Sequence, residues 1–164
     1  MIPLVSFYYI VANNTGSLSL VSAEDYDFLN KFNWTENPRG HLVRNDRGKV
    51  LMIHRVIAER MGLDLSCMID HEDRNKLNNQ RYNLRRANDS QNQYNSGKQC
   101  NNTSGYKGVT WDKHNRRWLS RIRFTDNNGQ QRRKHLGSFL SPEAAGEAYA
   151  HAANQLHGEF ACTH

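Results

Sequence analysis

An aspartate and a histidine stand side by side at Asp70 and His71, and two asparagines follow them at Asn83 and Asn92. A carboxylate is a hard oxygen ligand for a divalent cation, and an imidazole, with an ordinary pKa of about 6.5, is a neutral base at cytosolic pH. The two carboxamides lie at distances along the chain that let a folded-back segment return them to that pair. This set predicts a site for one divalent cation, one activated water and a phosphodiester.

The elements around these residues predict how they are brought together. Residues 68–71 suit a strand end, the polar residues 72–82 an extended loop, and residues 83–87 a returning strand. Asn88 fits a helix N-cap with Gln91 three residues on, which places Asn92 in the first turns of a helix. The predicted order is therefore β–loop–β–α.

The residues before this segment predict short strands and two helices. A strand is expected over 7–12, a helix from Ser22 to about Phe32, two strands around a turn at 45–48, and a helix over 54–61. The small, polar residues 96–104 indicate a linker. Beyond it, three strands are expected over 107–111, 118–124 and 133–139, with a helix that starts at Ser141-Pro142 and ends at Gly158.

Composition favours small modules and either a polyanionic partner or an acidic membrane face. The apolar fraction is 37% and the net charge is +6, with a pI of about 9.4. From Lys107 to Lys134, nine Lys or Arg residues face two acidic ones, and this basic stretch is interleaved with tryptophans, which indicates nucleic acid.

Cysteine usage and hydropathy lead to three expected absences. The three cysteines, Cys67, Cys100 and Cys162, form no C-x-x-C pair, so we expect no structural zinc site. The opening residues 1–5 lack a basic n-region, so no secretory signal is expected. No apolar stretch approaches the roughly 20 residues that span a bilayer, so we expect a soluble, intracellular protein with no membrane partner.

The segment from Asp70 to Asn92 resembles the HNH homing endonucleases of the ββα-metal fold. The family pattern Asp-His-Ile-x-Gly-Asn-Lys-Leu-Asn-Asn-x-x-x-Asn-Leu-Arg, then Ser-Gln-Asn, is matched at Asp70-His71, at 75–79, at 83–85 and at 90–92. The resemblance, over about residues 20–97, implies that His71 is the base and that Asp70 and Asn92 hold the metal, Mg²⁺ first and Mn²⁺ as the alternative. Asn83 is expected to accept a hydrogen bond from the His71 ring and so fix its tautomer.

Two positions depart from the family pattern. Glu72 replaces a commonly apolar residue, and Arg74 stands where the family usually has a glycine in the turn, so Arg74 is expected to need an unusual backbone conformation or to reach a phosphate. The candidate phosphate contacts of this module are His54, Arg55, Arg74 and Arg85. For His54 and Arg55 a structural role is an open alternative.

Residues 105–160 resemble the plant Apetala-two (ethylene-response-factor) DNA-binding domain. The match runs through Gly105-Tyr106-Lys107-Gly108-Val109, His135-Leu136-Gly137-Ser138-Phe139 and His157-Gly158-Glu159-Phe160. The resemblance implies a three-stranded antiparallel sheet that enters the major groove, with one C-terminal helix packed behind it. The candidate DNA-binding residues are Lys107, Thr110, Trp111, Lys113, Arg116, Arg117, Arg121, Arg123, Arg133 and His135.

Together these observations predict an α+β chain with an HNH nuclease module at 1–97 (ββα-metal core at about 66–97), a linker at 98–104 and an Apetala-two-like domain at 105–164. We expect a metal-dependent DNA endonuclease of homing type, encoded by a phage and acting on double-stranded DNA in the bacterial cytoplasm. A monomer or weak dimer is expected. A monomer would nick one strand per event, and a double-strand break would need dimerisation or two sequential cuts. The alternatives are a non-catalytic DNA-binding regulator with an idle HNH fold, and an RNA-directed binder.

Overall fold

The computed structural model describes residues 7–163, and contacts within the chain divide it into two compact units, Met1–Asn88 and Asp89–His164. The opening residues 1–5, for which no secretory signal was expected, lie outside the described range. Residues 7–163 form a mixed α+β structure with small sheets and four α-helices. Within this range, no helix has the length and apolar character needed to cross a membrane.

The first unit is built from short strands and two helices. Its strands are β1 (Tyr8–Val11), β2 (Leu18–Val21), β3 (Thr35–Glu36), β4 (Leu42–Asp46), β5 (Lys49–Met52), β6 (Met68–His71), β7 (Asn78–Asn79) and β8 (Leu84–Ala87). Its helices are α1 (Ala23–Leu29) and α2 (Ile53–Arg60), and a 3-10 turn spans Arg81–Asn83. The sheet orders are β1-β2-β7, β3-β4-β5 and β6-β8.

One apolar core holds the first unit together. Trp34 is its largest fully buried side chain, and the Trp34 Nε1 donates a hydrogen bond to the Leu29 carbonyl at 2.9 Å. Helix α2 contributes Ile53, Val56 and Ile57, whose spacing places them on one helical face. Each such side chain stabilises the fold by roughly 1.5–3 kcal/mol when fully buried.

Two strand pairings of the first unit place the residues that could do chemistry. Strands β6 and β8 pair antiparallel, with Asp70 opposite Arg85. Strands β2 and β7 pair parallel, with Val21 opposite Asn79. The second pairing corrects the prediction of an extended loop over 72–82, because β7 and the 3-10 turn lie within it. A two-residue strand carries no sequence signal of its own, since its backbone is ordered by the distant strand β2.

A buried acidic side chain ties the two helices to the turn before β8. Asp25 is completely buried, and its oxygens accept hydrogen bonds from the Arg60 Nε at 2.7 Å and the Arg81 Nε at 2.6 Å. Burial alone would raise the pKa of Asp25, but the hydrogen bonds and charges of Arg81 and Arg60 lower it overall. The carboxylate is therefore charged and compensated.

The second unit contains the predicted sheet and helix. Its elements are α3 (Asp89–Asn95), β9 (Val109–Asp112), β10 (Arg117–Thr125), β11 (Gln131–Phe139) and α4 (Pro142–His157). The sheet is antiparallel with β10 in the centre, and α4 packs on it through Tyr149 and Ala153 against Ile122. The first strand starts two residues later than predicted. The backbone turns at Gly108 (φ 71°), where a Cβ would clash with the Tyr149 ring.

The ends of α4 agree with the sequence signals. The Ser141 Oγ accepts a hydrogen bond from the Ala144 N–H at 3.2 Å, with Pro142 at the first helical position. Gly158 ends the helix with a φ of 55°. By contrast, α1 ends at Leu29, earlier than the predicted Phe32.

The predicted module boundaries at 97 and 105 remain predictions. The contact-based division falls earlier, between Asn88 and Asp89, so α3 is grouped with the second unit. The antiparallel pair of a ββα arrangement, β6 and β8, is present in the first unit. Its completion by α3 also remains a prediction.

The Asp25 network gives the first testable prediction. Asp25→Ala should lower the free energy of unfolding by about 1.5–3 kcal/mol, because it removes the charged hydrogen bonds of Arg60 and Arg81, whose side chains are partly exposed, to a shared buried carboxylate. Urea unfolding of the full chain measures this. Asp27→Ala, on the exposed side of the same helix, is the matched control and should change the unfolding free energy by less than about 0.5 kcal/mol. Equal effects of the two substitutions would contradict the role assigned to Asp25.

Candidate active site

The Asp70 and His71 side chains end strand β6 and are both buried. Their exposed fractions are 7% for Asp70 and 6% for His71. The antiparallel partner β8 holds the backbone of both residues in register, with Leu84 opposite His71. The carboxylate and the imidazole are thus fixed next to each other at a strand end, as the sequence predicted.

Asp70 forms an ion pair with the residue opposite it. The Arg85 Nε donates to the Asp70 Oδ2 at 3.1 Å, and both side chains are largely shielded from water. A buried carboxylate needs a compensating cation, and Arg85 supplies one. The structure therefore shows Arg85 paired with Asp70, and its contact with phosphate stays a prediction.

The His71 ring is bonded to an asparagine that the sequence analysis did not select. The His71 Nε2 lies 3.0 Å from the Asn79 Oδ1, and Asn79 is completely buried on β7. The sequence analysis expected Asn83 to fill this role. The hydrogen bond to Nε2 comes instead from Asn79, because the parallel pairing with β2 turns its side chain into the interior.

Asn83 closes the loop between the two strands. Its Oδ1 accepts from the Asp73 N–H at 3.0 Å, and its Nδ2 donates to the Asp73 Oδ1 at 2.9 Å and to the Asn78 carbonyl at 2.7 Å. With an exposed fraction of 2%, the carboxamide crosslinks the loop from within. These contacts shape the loop that carries Asn79.

Arg74 has the unusual backbone that its position predicted. Its φ is 65°, in the left-handed region that favours glycine, and its N–H donates to the His71 carbonyl at 2.9 Å. Arg74 lies exposed in the turn that follows β6, as does Glu72.

Three imidazoles, one of them the candidate base His71, pack together. The ring centroids of His41 and His54 lie 5.0 Å apart, those of His54 and His71 5.2 Å, and those of His41 and His71 6.0 Å. The Nδ1 atoms of His41 and His54 are buried without a hydrogen-bond partner. His54 is 6% exposed, so its side chain packs against the base and does not present a surface to phosphate.

Arg55, the other candidate phosphate contact on α2, has a structural partner. Its Nη2 donates to the Leu65 carbonyl at 2.7 Å, which secures the segment between α2 and β6. Of the two alternatives left open by the sequence for His54 and Arg55, the structure favours the structural one.

Burial keeps the three rings neutral at neutral pH. It lowers the pKa of His71 below its ordinary value, although the hydrogen bond with Asn79 and the charges of Asp73 and Asp70 oppose this. Burial, followed by the neighbouring His71, His41 and Arg55, lowers the pKa of His54 to about 3. Burial, followed by Lys76, His71 and Arg39, lowers the pKa of His41 to about 4. A neutral imidazole can accept a proton.

The oxygen donors have the chemistry of a hard-cation site. Asp70 offers a carboxylate, and the second predicted ligand, Asn92, lies half-buried on α3. Across residues 7–163, no three His, Cys, Asp or Glu side chains form a group that could hold a metal. A cation at Asp70 would thus depend on carboxamide, water or phosphate oxygens for its other ligands.

The sheet of the second unit presents a basic face. Arg121 stands opposite His135 and Arg123 opposite Arg133, and all four side chains are exposed. The alternate residues Ser120 and Ile122 are buried beneath α4. Also exposed are the candidate DNA-binding residues Thr110, Trp111, Lys113, Arg116 and Arg117.

Lys107 is the exception among the candidate DNA-binding residues. Its Nζ donates to the carbonyls of Tyr94, at 2.7 Å, and Ser96, at the C-terminal end of α3. Tyr94 also stacks on His157, with ring centroids 3.8 Å apart. Lys107 thus holds the segment after α3 in place, whereas the sequence analysis placed it among the residues that face DNA.

Sequence reasoning missed Asn79, His41 and Ser19, which contacts Asn79. A signal for Asn79 was present, because it belongs to the Leu77-Asn78-Asn79 part of the family pattern. No signal distinguished His41, whose position depends on the packing of β4 against α2.

Comparisons with known proteins give one distant relative. A protein of Acanthamoeba polyphaga mimivirus is 29% identical to this chain over 166 aligned residues, which cover 98% of the chain and 82% of the relative. Its name is uncharacterized HNH endonuclease. No family model matches the chain, and no solved structure matches it.

The imidazole cluster predicts a pH-dependent stability. A histidine in the unfolded chain has a pKa of about 6.5. In the folded protein the pKa is about 4 for His41 and about 3 for His54, so both rings stay neutral to a lower pH. Their contribution is complete above about pH 6.5 and is lost as the pH falls, because the unfolded state then binds more protons. Each ring should contribute about 1.4 kcal/mol per pH unit to the slope of the unfolding free energy against pH, at pH values between its folded and unfolded pKa.

Urea unfolding between about pH 4.5 and pH 7 measures this slope. Trp34 fluorescence in a Trp111→Phe, Trp118→Phe background reports on the first unit. In the double variant His41→Phe/His54→Phe, made in the same background, the slope of the unfolding free energy against pH should be shallower by up to about 2.7 kcal/mol per pH unit. An unchanged slope in the double variant would contradict neutral burial of the two rings.

Proposed function

We propose that the protein is a metal-dependent DNA endonuclease of the HNH type, with His71 as the general base and the sheet of the second unit as a duplex DNA-binding surface. The observation that carries the proposal is the buried imidazole of His71, which is hydrogen-bonded to Asn79 and follows Asp70 directly at the end of β6. The distant relative named as an HNH endonuclease supports the same reading.

His71 supplies the step that water cannot perform efficiently alone. The neutral ring takes a proton from a water molecule, and the resulting hydroxide attacks the phosphorus. The phosphorus–oxygen bond on the opposite side then breaks, and the leaving alkoxide takes a proton from solvent. A positioned general base contributes about 10²- to 10⁴-fold in rate.

Asp70 would hold the divalent cation, Mg²⁺ or Mn²⁺, through its carboxylate oxygens, and Asn92 remains the second ligand that the resemblance implies. Bound there, such a cation would stabilise the negative charge of the phosphate and of the leaving oxygen. Arg85, which forms an ion pair with Asp70, orients the carboxylate.

The basic face of the sheet supports DNA as the partner. Like charges directly opposite each other destabilise a sheet, yet Arg123 faces Arg133, and Arg121 lies on the same face. None of these three arginines has an ion pair within residues 7–163. A polyanion would compensate the repulsion by contacting the arginines together.

We extend the proposal to a homing-type enzyme encoded by a phage, which acts in the host cytoplasm and nicks DNA as a monomer or weak dimer. Its support is the resemblance of the two modules to HNH homing endonucleases and to the Apetala-two domain. The alternative, a DNA-binding regulator with an idle nuclease fold, would use the same basic face but has no need of a neutral His71.

Removing the base should abolish cleavage and leave binding intact. His71→Ala should nick supercoiled plasmid about 10²- to 10⁴-fold more slowly than wild type in Mg²⁺, because only the proton acceptor is lost. His151→Ala, an exposed histidine on α4, is the matched control. Unchanged nicking by His71→Ala would refute the assignment. Salt-sensitive DNA binding without cleavage by wild type, in Mg²⁺ or Mn²⁺, would favour the regulator.

Arg121 and Lys107 should behave differently in DNA binding. Arg121→Ala should weaken binding and reduce the slope of log K against log salt by about 1, as expected for one lost phosphate contact. Lys107→Met should leave that slope unchanged, because its ammonium group bonds carbonyls within the second unit. Fluorescence anisotropy over a salt series measures both. Equal slope changes would place Lys107 on the DNA, as the sequence analysis first predicted.

A further inference from the structure

A chain of buried hydrogen bonds runs from the first sheet to the His71 ring. Ser19 on β2 accepts from the Asn79 Nδ2 at 2.8 Å, and the Asn79 Oδ1 lies 3.0 Å from the His71 Nε2. Ser19 and Asn79 are completely buried. The parallel pairing of β2 with β7 brings their side chains together across the sequence.

The orientation of the Asn79 carboxamide is determined by a group that can only accept. The Asn79 Nδ2 also lies 3.0 Å from the Lys76 carbonyl, which has no proton to donate. The amide nitrogen must therefore face Lys76 and Ser19, and the amide oxygen must face the ring. The Lys76 carbonyl thus determines which of the two amide orientations Asn79 adopts.

The orientation of the amide in turn selects the tautomer of the ring. An amide oxygen accepts a hydrogen bond, so the His71 Nε2 must carry the proton. In the neutral ring the electron pair then resides on Nδ1. A ring with the opposite tautomer would set the Nε2 electron pair against the Asn79 oxygen.

We propose that Asn79 and Ser19 are positioning residues that hold His71 in the Nε2-protonated tautomer, so that Nδ1 is the nitrogen that accepts the proton of the attacking water. The part concerning water rests on the proposed nuclease function. The part concerning the tautomer does not, because it concerns the free protein.

The test reads the tautomer directly. Long-range ¹H–¹⁵N correlation spectra of the ¹⁵N-labelled full chain, without DNA or metal, report which nitrogen of each neutral imidazole carries the proton. The spectrum of His71→Gln assigns the His71 signals. Wild type should show a protonated Nε2 and an unprotonated Nδ1, and a protonated Nδ1 would overturn the proposal even if no variant folds.

Variants separate positioning from folding. Asn79→Ala should give a mixture of the two tautomers and lower kcat about 10- to 100-fold with KM unchanged, as for other residues that orient a reactive group. Asn79→Asp keeps an acceptor facing the ring but removes the amide that donates to the Lys76 carbonyl, and its charge favours the protonated ring, so it should not recover the rate. Ser19→Ala should have a smaller effect, since the Lys76 carbonyl still orients the amide.

Asn78→Ala is the matched control. Asn78 lies next to Asn79 on β7, but its Nδ2 bonds the Asp73 carboxylate at 2.7 Å, so the His71 tautomer should equal that of wild type. A wild-type tautomer in Asn79→Ala would overturn the positioning role. Absence of cleavage by wild type, with the predicted tautomer and its loss in Asn79→Ala, would refute the nuclease function and leave the positioning role standing.

Discussion

The hydrogen bond between Asn79 and His71 is the interaction on which the candidate site depends. A buried imidazole has two nitrogens, and only one can hold the electron pair that accepts a proton. The Asn79 Oδ1 lies 3.0 Å from the His71 Nε2 and accepts a hydrogen bond from it, which leaves the electron pair on Nδ1. Without a fixed acceptor, a ring that is 6% exposed would divide its population between tautomers and orientations.

The rest of the first unit holds this acceptor in place. Strand β2 pairs with β7 and fixes the backbone of Asn79, while Asn83 crosslinks the loop through Asp73. Asp25 anchors the following turn through Arg81, at the cost of burying a charge that two guanidinium groups compensate. A loop of mostly polar residues is thus ordered by buried hydrogen bonds, since it has few apolar side chains to pack.

Local signals in the sequence predicted the elements, and distant pairings determined the details of the site. The Ser141 cap and the Asn45–Gly48 turn were predictable because their hydrogen bonds form within a few residues. Strand β7 was not, because its order comes from β2. Spacing indicated that an asparagine would reach His71, but it could not distinguish Asn79 from Asn83. The sequence predicted a DNA contact for Lys107 but gave no sign of the Tyr94 and Ser96 carbonyls that its ammonium group bonds, because those contacts depend on the fold.

Chemical rescue tests the central claim, that an imidazole at position 71 is the base, most directly. His71→Gly removes the ring and leaves space for a small molecule in a buried site. Plasmid nicking by His71→Gly in Mg²⁺ should be lost and then partly restored by added imidazole, with a rate that follows the concentration of the neutral form. Nicking by His71→Gly at the wild-type rate without imidazole would contradict the account.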